Sequence, residues 1–373
     1  MGLSRPRSLT LTLCLKRFSI EWSVGKGVTV PVQKRATIVD VAKQAGVSIG
    51  TVSRVLNSSS GPEATRRKVL DAIDELDYVA NHVARSLKRR ATEQLAFVVP
   101  DVGNPVYVAM ATAVQRQAKE RGYRLTLLSS DVAPGNEDVA LESLEQRRVD
   151  GVIMCSLTPT GPLIERLTNL RDRVCVVGRL PDGVPVDNVR VDSEGGAQLA
   201  VQHLLDGGRR VVGFINGTPG TVPANARATG FRRALVENGH AVEEARIAGG
   251  SFTMAGGYHA VDALLDGNPD LDAIFCANDV IALGALRRLQ ERGLGVPDQV
   301  ALVGVDDIEL GRFSTPTLTT VSLLAGERGR LAADMLLDRI AREGPEEPRR
   351  VTVTPRLIVR ESSTDYVLRG GRA

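Results

Sequence analysis

Aromatic residues are only 3% of this 373-residue chain, and its four histidines, His82, His203, His240 and His259, fall at no spacing that closes around a metal ion. The four cysteines, Cys14, Cys155, Cys175 and Cys276, form no C-x-x-C pair, which argues against a disulfide framework or a zinc site. Three of them lie in apolar runs, as buried reduced thiols do. No run approaches the ~18–20 apolar residues of a membrane span. The apolar patch at Leu9–Leu15 is interrupted by threonines, is followed by Lys16-Arg17 and leads to no small-residue cleavage site, so export is not expected. A reducing cytoplasm is the expected compartment. Neither a Ser/His/Asp set nor paired carboxylates can be argued from the sequence, so neither an enzyme nor a cofactor is expected.

What is present is length, small apolar residues and an uneven charge. The chain is long enough for two or three folding units with a substantial core. Abundant Gly, Ala, Val and Leu suit an α/β protein of parallel strands and helices. The net charge of +3 hides an asymmetry: residues 1–33 carry +4, residues 34–90 carry +5 and the remainder carries −6. A basic front on an acidic body points to a polyanionic partner for the front alone.

Within that front, Thr37 precedes an apolar series at Ile38, Val41, Ala42 and Ala45, with Asp40 where a carboxylate suits a helix start. Gly46 supplies the backbone freedom to end this helix sharply, and Ser48 is placed to cap a second. At about 100° per residue, Val52, Val55 and Leu56 fall on one side of that second helix and Ile49, Gly50, Ser53 and Arg54 on the other. One side packs and the other is presented. This is a helix-turn-helix pattern, whose second helix enters the DNA major groove, and Arg is the side chain best suited to bidentate contact with guanine. Two other readings compete. One is a helical hairpin with a solvated face; the other takes Gly46-Val-Ser-Ile-Gly50 as a G-x-S-x-G nucleophile elbow, a motif that requires a preceding strand where this sequence has a capped amphipathic helix. After the polar Ser58–Pro62 loop, Val69, Ala72, Ile73 and Leu76 make the stripe of a third helix, with Pro62 at or near its start.

The run T-I-x-D-V-A-x-x-A-G-V-S-x-x-T-V-S-R-V-L-N over residues 37–57 resembles the amino-terminal signature of the lactose/galactose repressor family of bacterial transcription regulators. The resemblance implies an α/β chain with a helix-turn-helix headpiece, a hinge helix, and a two-lobed sensor with parallel sheets similar to periplasmic sugar-binding proteins. It implies DNA contacts from Thr37, Ser48, Ile49, Gly50, Thr51, Ser53, Arg54 and Asn57. The segment Asn81–Arg90 resembles the family's hinge N-x-x-A-x-x-L, in which paired helices enter the minor groove and wedge apart a base step. Leu87 is the matching wedge, with Asn81, Ala84, Arg85 and Lys88 beside it; the plainer alternative is a basic linker. Family sequences begin just before Thr37, so residues 1–33 are expected to be a tail or an early-called start, with Val28 or Val30 as candidate initiators.

From Gln94 onward apolar runs at Leu95–Val99, Leu125–Leu128, Val152–Met154, Val174–Val177, Val211–Ile215, Ala273–Cys276 and Val300–Val305 alternate with helical segments, as in parallel sheets with right-handed crossovers. The resemblance extends through Asp101–Pro105, Asp150-Gly151, Arg227–Phe231, Ala277–Asp279, Val303–Asp307, Pro316–Thr320 and Arg360–Ser362. The implied organisation is a headpiece over 34–80, a hinge over 81–93 and a sensor over 94–365, with a tail over 366–373. The sensor's lobes are expected at about 94–191 plus 321–354 and 192–320 plus 355–365, with crossings near Asp192, Thr320 and Pro355.

Asn278 and Asp306 each follow an apolar strand, which aims them at the cleft where ligands bind in open α/β sheets. Arg227 is placed at the start of a helix over Arg227–Glu237, Phe252 in a Gly-Gly-Ser-Phe loop, and Tyr107 just after Asn104-Pro105. Carboxylate, guanidinium, amide and aromatic groups suit a polyhydroxylated ligand. By resemblance Arg227, Phe252, Asn278, Asp306 and Tyr107 contact a small effector, expected to be a sugar. Each has a purely structural alternative: a strand-end Asp or Asn often caps the next helix, and Phe252 also suits a core. Asp279 reads as the cap of the helix over Val280–Leu289, and Asp192 as a brace at a lobe crossing. Val305 stands where the family usually has Phe or Tyr and Cys175 where it usually has Pro, which bears on pocket shape near both. The expected partners are a pseudo-palindromic double-stranded operator, the effector and a second copy of the chain, with no membrane. The rival functions are a solute-binding protein for sugar uptake and a hydrolase using Ser48.

Overall fold

A computed structural model describes residues 36–58, 62–78, 91–130, 138–155 and 158–364, apart from the side chains of Asn57 and Ser58. The chain divides into two compact units, one ending at Asn81 and the other beginning at His82.

The first unit packs α1 (Ile38–Ala45), α2 (Ile49–Ser58) and α3 (Glu63–Glu75) around one small core. Asp40 closes the start of α1, accepting from the backbone N–H of Thr37 at 2.8 Å and from its hydroxyl at 2.7 Å. Gly46 ends it at φ 65°, which lets the N–H of Val47 reach back to the carbonyl of Ala42 at 3.0 Å. Ser48 then caps α2, its Oγ accepting from the N–H of Thr51 at 3.1 Å. Pro62 occupies the position just before α3, where no N–H is needed. Val41, Ala42, Ala45, Val52, Val55, Val69 and Ala72 are buried together, with Leu56, Ile73 and Leu76 packed against them.

The second unit holds two six-stranded sheets. The first contains β1 (Gln94–Val99), β2 (Arg124–Ser129), β3 (Gly151–Cys155), β4 (Val174–Val177), β5 (Asp187–Val191) and β11 (Arg350–Val353). Its order is β11-β5-β4-β3-β1-β2, all parallel. The second contains β6 (Val212–Asn216), β7 (Ile247–Gly249), β8 (Ala273–Cys276), β9 (Ala301–Val305), β10 (Thr319–Ser322) and β12 (Arg356–Ile358). Its order is β12-β10-β9-β8-β6-β7, with β12 alone antiparallel. Every expected strand is present. Those without a continuous apolar run, β5, β7, β10, β11 and β12, were not foreseen.

Among the helices that bear on the cleft, α4 (Pro105–Glu120) and α12 (Ala325–Ala341) pack together on the first sheet, and α8 (Val222–Glu237) packs on the second. A Cβ on Gly329 would lie 2.6 Å from the carbonyl oxygen of Met110, so glycine sets how closely α12 approaches α4. The second lobe's core stacks Phe231 and Phe275 on either side of Phe214, at 5.1 and 5.0 Å between ring centres. In the first lobe Asp187 joins β5 to α12 and β11, accepting from Arg339 Nη2 at 2.7 Å and from Arg349 Nη2 and N–H at 2.8 and 2.7 Å.

The chain passes between lobes at Asp192, at Leu323-Leu324 and at Thr354-Pro355. The middle crossing therefore lies beyond Thr320. Val321 and Ser322 pair with Leu357 and Arg356, and Val321 also with Val305, so both belong to the second sheet. Leu324 makes the turn at φ 51°, a left-handed conformation that few leucines adopt.

Candidate ligand cleft and nucleic-acid face

On α2 the packed and presented sides separate by burial. Val52 and Val55 are buried, whereas Ile49 keeps 47% of its surface and Gly50 and Arg54 are exposed; Thr51 and Ser53 are intermediate. Thr37 and Ser48 use their hydroxyls within the headpiece, Thr37 on Asp40 and Ser48 on Thr51. A Cβ on Gly50 would meet only Ser48 Oγ, at 3.7 Å, so neither packing nor backbone requires glycine there. The side chain of Asn57 and all of Asn81, Ala84, Arg85, Leu87 and Lys88 lie outside the described residues.

Between the lobes lies a cavity of about 470 Å³. Its walls come from the carboxyl ends of strands in both sheets, as ligand sites in open α/β sheets do: Cys155 ends β3, Asp192 follows β5, Asn278 follows β8 and Asp306 follows β9. Tyr107, Arg227, Phe252, Asn278 and Asp306 all line it.

Each is held there by local structure. Asn104 caps α4, its Oδ1 accepting from the N–H of Val106 at 3.1 Å, which sets Tyr107 in the first turn. Burial pushes the Tyr107 phenol well above its ordinary range, so it stays a neutral donor and acceptor. Helix α8 begins at Val222 rather than at Arg227, because Pro223 suits a first turn; Arg227 thus sits in the second turn, 6% exposed. Phe252 lies against the backbone of Gly217, where an added Cβ would fall 2.2 Å from the ring, and Arg227 lies 5.9 Å from its centre.

Asn278, not Asp279, caps the following helix α10 (Asp279–Glu291): its Oδ1 accepts from the N–H of Ile281 at 2.8 Å. The capping alternative and the binding role are compatible, since Asn278 Nδ2 is buried without a partner. Asp279 instead turns away, accepting from Thr320 Oγ1 at 2.6 Å and the N–H of Ile308 at 2.9 Å, and so ties β10 to the segment after β9. The absence of a side chain at Gly304 makes room, as a Cβ there would lie 2.1 Å from Asp279 Oδ1.

Asp306, 8% exposed, is presented by a backbone at φ 110°, a conformation that costs free energy and is typical of functional sites. Its Oδ1 lies 3.8 Å from Arg227 Nη2. Burial raises its carboxyl above the usual carboxylate range, and the Arg227 and Arg328 guanidiniums pull it partly back. Arg328, one residue before Gly329 on α12, was not anticipated: it lines the cavity, is 7% exposed and has no hydrogen-bond partner at Nε. Asp192 lines the cavity too while capping α7 (Ser193–Asp206), where it accepts from the N–H of Gly195 at 2.8 Å. Val305 and Cys175 are buried in the cores, and neither side chain forms part of the cavity wall. Among the described residues no cluster of His, Cys, Asp and Glu is arranged to hold a metal ion, and no helix is long and apolar enough to cross a membrane.

Comparison with known proteins agrees with this division. Residues 37–81 match the family described as bacterial regulatory proteins, lacI family, and residues 92–361 match the periplasmic binding proteins and sugar binding domain of the LacI family. The HTH-type transcriptional regulator CelR of Thermobifida fusca is 37% identical over 343 residues, covering 88% of this chain and 99% of CelR. The HTH-type transcriptional repressor PurR of Haemophilus influenzae (strain PittEE) is 34% identical over 330 residues, covering 88% and 98%. Among solved structures, the CelR–cellobiose complex aligns with a TM-score of 0.67 at 36% identity, covering 88% of this chain and 100% of that one. The Lac repressor dimer bound to operator and the anti-inducer ONPF aligns with a TM-score of 0.78 at 26% identity, covering 88% and 99%. With both of its units matched and its similarity running through whole relatives, the chain belongs to the lacI family of bacterial regulatory proteins and is a DNA-binding transcription regulator with a small-molecule-binding domain.

Proposed function

We propose that this regulator is a cytoplasmic homodimeric repressor that holds a pseudo-palindromic operator through its α2 helices and releases it when a small sugar-like effector occupies the cleft. The observation that carries the effector half is one cavity with buried, incompletely hydrogen-bonded polar groups on it: Arg227, Asn278 and Asp306 in the second lobe, opposite Tyr107 in the first. A ligand spanning both walls prefers one spacing of the lobes, and only such a differential preference shifts an equilibrium. A coupling of ~1–3 kcal/mol changes operator affinity about 5–150-fold. The cellobiose complex of CelR and the operator complex of the Lac repressor dimer support the same pairing of ligand and DNA here.

Residues 34–80 act as the headpiece, 81–93 as the hinge whose Leu87 wedges the minor groove, and the rest of the described chain as the sensor. For the second copy, Leu310 and Phe313 are 53% and 79% exposed beside one another around the short helix α11 (Glu309–Arg312), an apolar surface suited to an isologous contact. Gel-shift with DNA from upstream of its own gene, with and without candidate sugars, tests the proposal. A retarded complex released by a cleft ligand is expected; ligand binding without any retarded complex refutes it in favour of a solute carrier.

A further inference from the structure

The cleft contains more buried positive charge than its expected binding residues require. Arg227 and Arg328 are 6% and 7% exposed, yet among the described residues the only buried carboxylate lining the cavity with them is Asp306. That carboxylate does not neutralise both. It stands 3.8 Å from Arg227 Nη2, beyond hydrogen-bond reach. No ion pair or side-chain hydrogen bond to Arg328 is found among the described residues, and the Nε atoms of both arginines are buried without partners. The neighbouring side chains supply no second anion: Tyr107 is a phenol held neutral by burial, and the Cys155 thiol is pushed up to about 12 by burial.

The remaining charges on the cavity wall are engaged elsewhere or lie in solvent. Glu194 faces Arg233 at 2.5 Å, and Arg190 faces Asp182 at 3.2 Å. Asp101, Arg179 and Asp192 are exposed at its edge. A guanidinium removed from water without a carboxylate or carbonyl is costly, and the cost is recovered when a matching anion arrives. The backbone that carries Arg328 is held by close packing. Arg328 lies on the first turn of α12, where Gly329 brings that helix against α4, and so beside Tyr107.

Building on the reading of this cavity as the effector site, we infer that the effector carries an anionic group, a carboxylate or a phosphate on a polyhydroxylated body, and that Arg328 receives it while Asp306 and Asn278 take hydroxyls. Arg328 is then the residue that separates an acidic sugar from its neutral parent, because a fork of N–H donors matches two oxygens of one anion.

The test uses the full chain and paired probes: D-gluconate, D-galacturonate and D-glucose 6-phosphate against D-glucose, D-galactose, cellobiose and hypoxanthine, by thermal shift and calorimetry. Sodium sulfate against sodium chloride at equal ionic strength serves as a probe that depends on no particular sugar. Sulfate should raise the wild-type midpoint saturably above the chloride control, and the increment should vanish in Arg328→Met. At least one acidic probe should bind more tightly than every neutral one. Its affinity should fall about 100-fold in Arg328→Met and about 10-fold in Arg328→Lys, which keeps the charge but loses the fork. The acid arm that binds distinguishes carboxylate from phosphate. A neutral probe that binds at least as tightly as any acid and is lost in Asp306→Asn but not in Arg328→Met overturns the inference and leaves the effector site standing. Acid binding that survives both substitutions overturns the site as well. Equal sulfate responses in wild type and Arg328→Met also overturn the inference.

Discussion

Asp306→Asn should destabilise the ligand-free protein and Arg227→Met should not, although both should abolish the response to effector. Three charged groups are buried at the cleft, two guanidiniums and one carboxylate. Asp306→Asn keeps the shape of the side chain and removes the one buried carboxylate described on the cavity wall, leaving Arg227 and Arg328 to repel each other. Breaking a buried pair by removing one partner costs ~3–5 kcal/mol, and the low end applies because Asp306 and Arg227 stand 3.8 Å apart without a hydrogen bond. About 3 kcal/mol at roughly 2–4 °C per kcal/mol lowers the sensor's melting temperature by about 6–12 °C. Arg227→Met leaves one carboxylate facing one guanidinium, so its melting temperature should equal or exceed that of the wild type. Scanning calorimetry of the apo proteins reads this order directly. Operator titration alongside it should give near wild-type affinity for both variants, since the headpiece is untouched. If Arg227→Met is the less stable variant, or if Asp306→Asn melts within about 1 °C of wild type, the charge argument for the cleft is wrong.

At the operator, Arg54→Ala should cost roughly 1–3 kcal/mol and relax sequence preference in competition gel-shifts, and Leu87→Ala should reduce DNA bending in circular-permutation gels. Gly50→Ala should stabilise the headpiece by about 0.4–1 kcal/mol in thermal melts, because the Cβ has room and the unfolded chain loses freedom. A Cβ on Gly284 would lie 1.9 Å from the carbonyl oxygen of Met254, so Gly284→Ala should destabilise the sensor by at least ~1–3 kcal/mol in denaturant titration. Burial pushes the Asp187 carboxyl up, but the hydrogen bonds from Arg339 and Arg349 outweigh it and hold the group below the ordinary 3.8. Its contribution is therefore present above that value and lost as pH falls through the folded one, and acid unfolding of Asp187→Asn should show a shallower pH dependence than wild type. Burial likewise holds His203 below the ordinary 6.5; its Nε2 lies 2.7 Å from Ser363 Oγ, so the protection of amides around Ser362-Ser363 against hydrogen exchange, measured relative to their intrinsic rates, should fall as pH falls below that value.

The parts legible in the sequence are those whose causes lie within a few residues. Asp40 closes the helix that begins one residue after Thr37, Gly46 ends it, and Ser48 caps the next, so each signal and its partner share one turn. The strands under Asn278 and Asp306 are continuous apolar runs buried on both faces, which makes their carboxyl ends, and hence two residues of the cavity wall, readable. By contrast β5 and β11 read as mixed polar segments, and they become strands because Asp187 draws in Arg339 and Arg349 from more than 150 positions away. The middle crossing was displaced for a similar reason: Val321 and Ser322 are held in the second sheet by Leu357 and Arg356, a strand formed only after the chain has visited the other lobe.

Arg328 illustrates how a cavity-lining group escapes such a reading. Its flanks, Gly326-Glu327 before it and Arg330 after it, are the composition of a solvated helix end, and Glu327 and Arg330 do pair in solvent at 2.7 Å. Only the close approach of α12 to α4 at Gly329 turns the intervening guanidinium inward. The same helix starts at Leu324, where the chain enters the first lobe in a left-handed turn, and ends with Arg339 bound to Asp187. A ligand that engages Arg328 from the cleft would therefore act on a helix anchored in the first lobe and joined directly to the crossing from the second, while Arg227 and Asp306 line the same cavity from the second lobe. Binding energy gathered at these three charges would be applied across the crossing at Leu323-Leu324, one of the three places where a change in lobe spacing must be absorbed by backbone rotation.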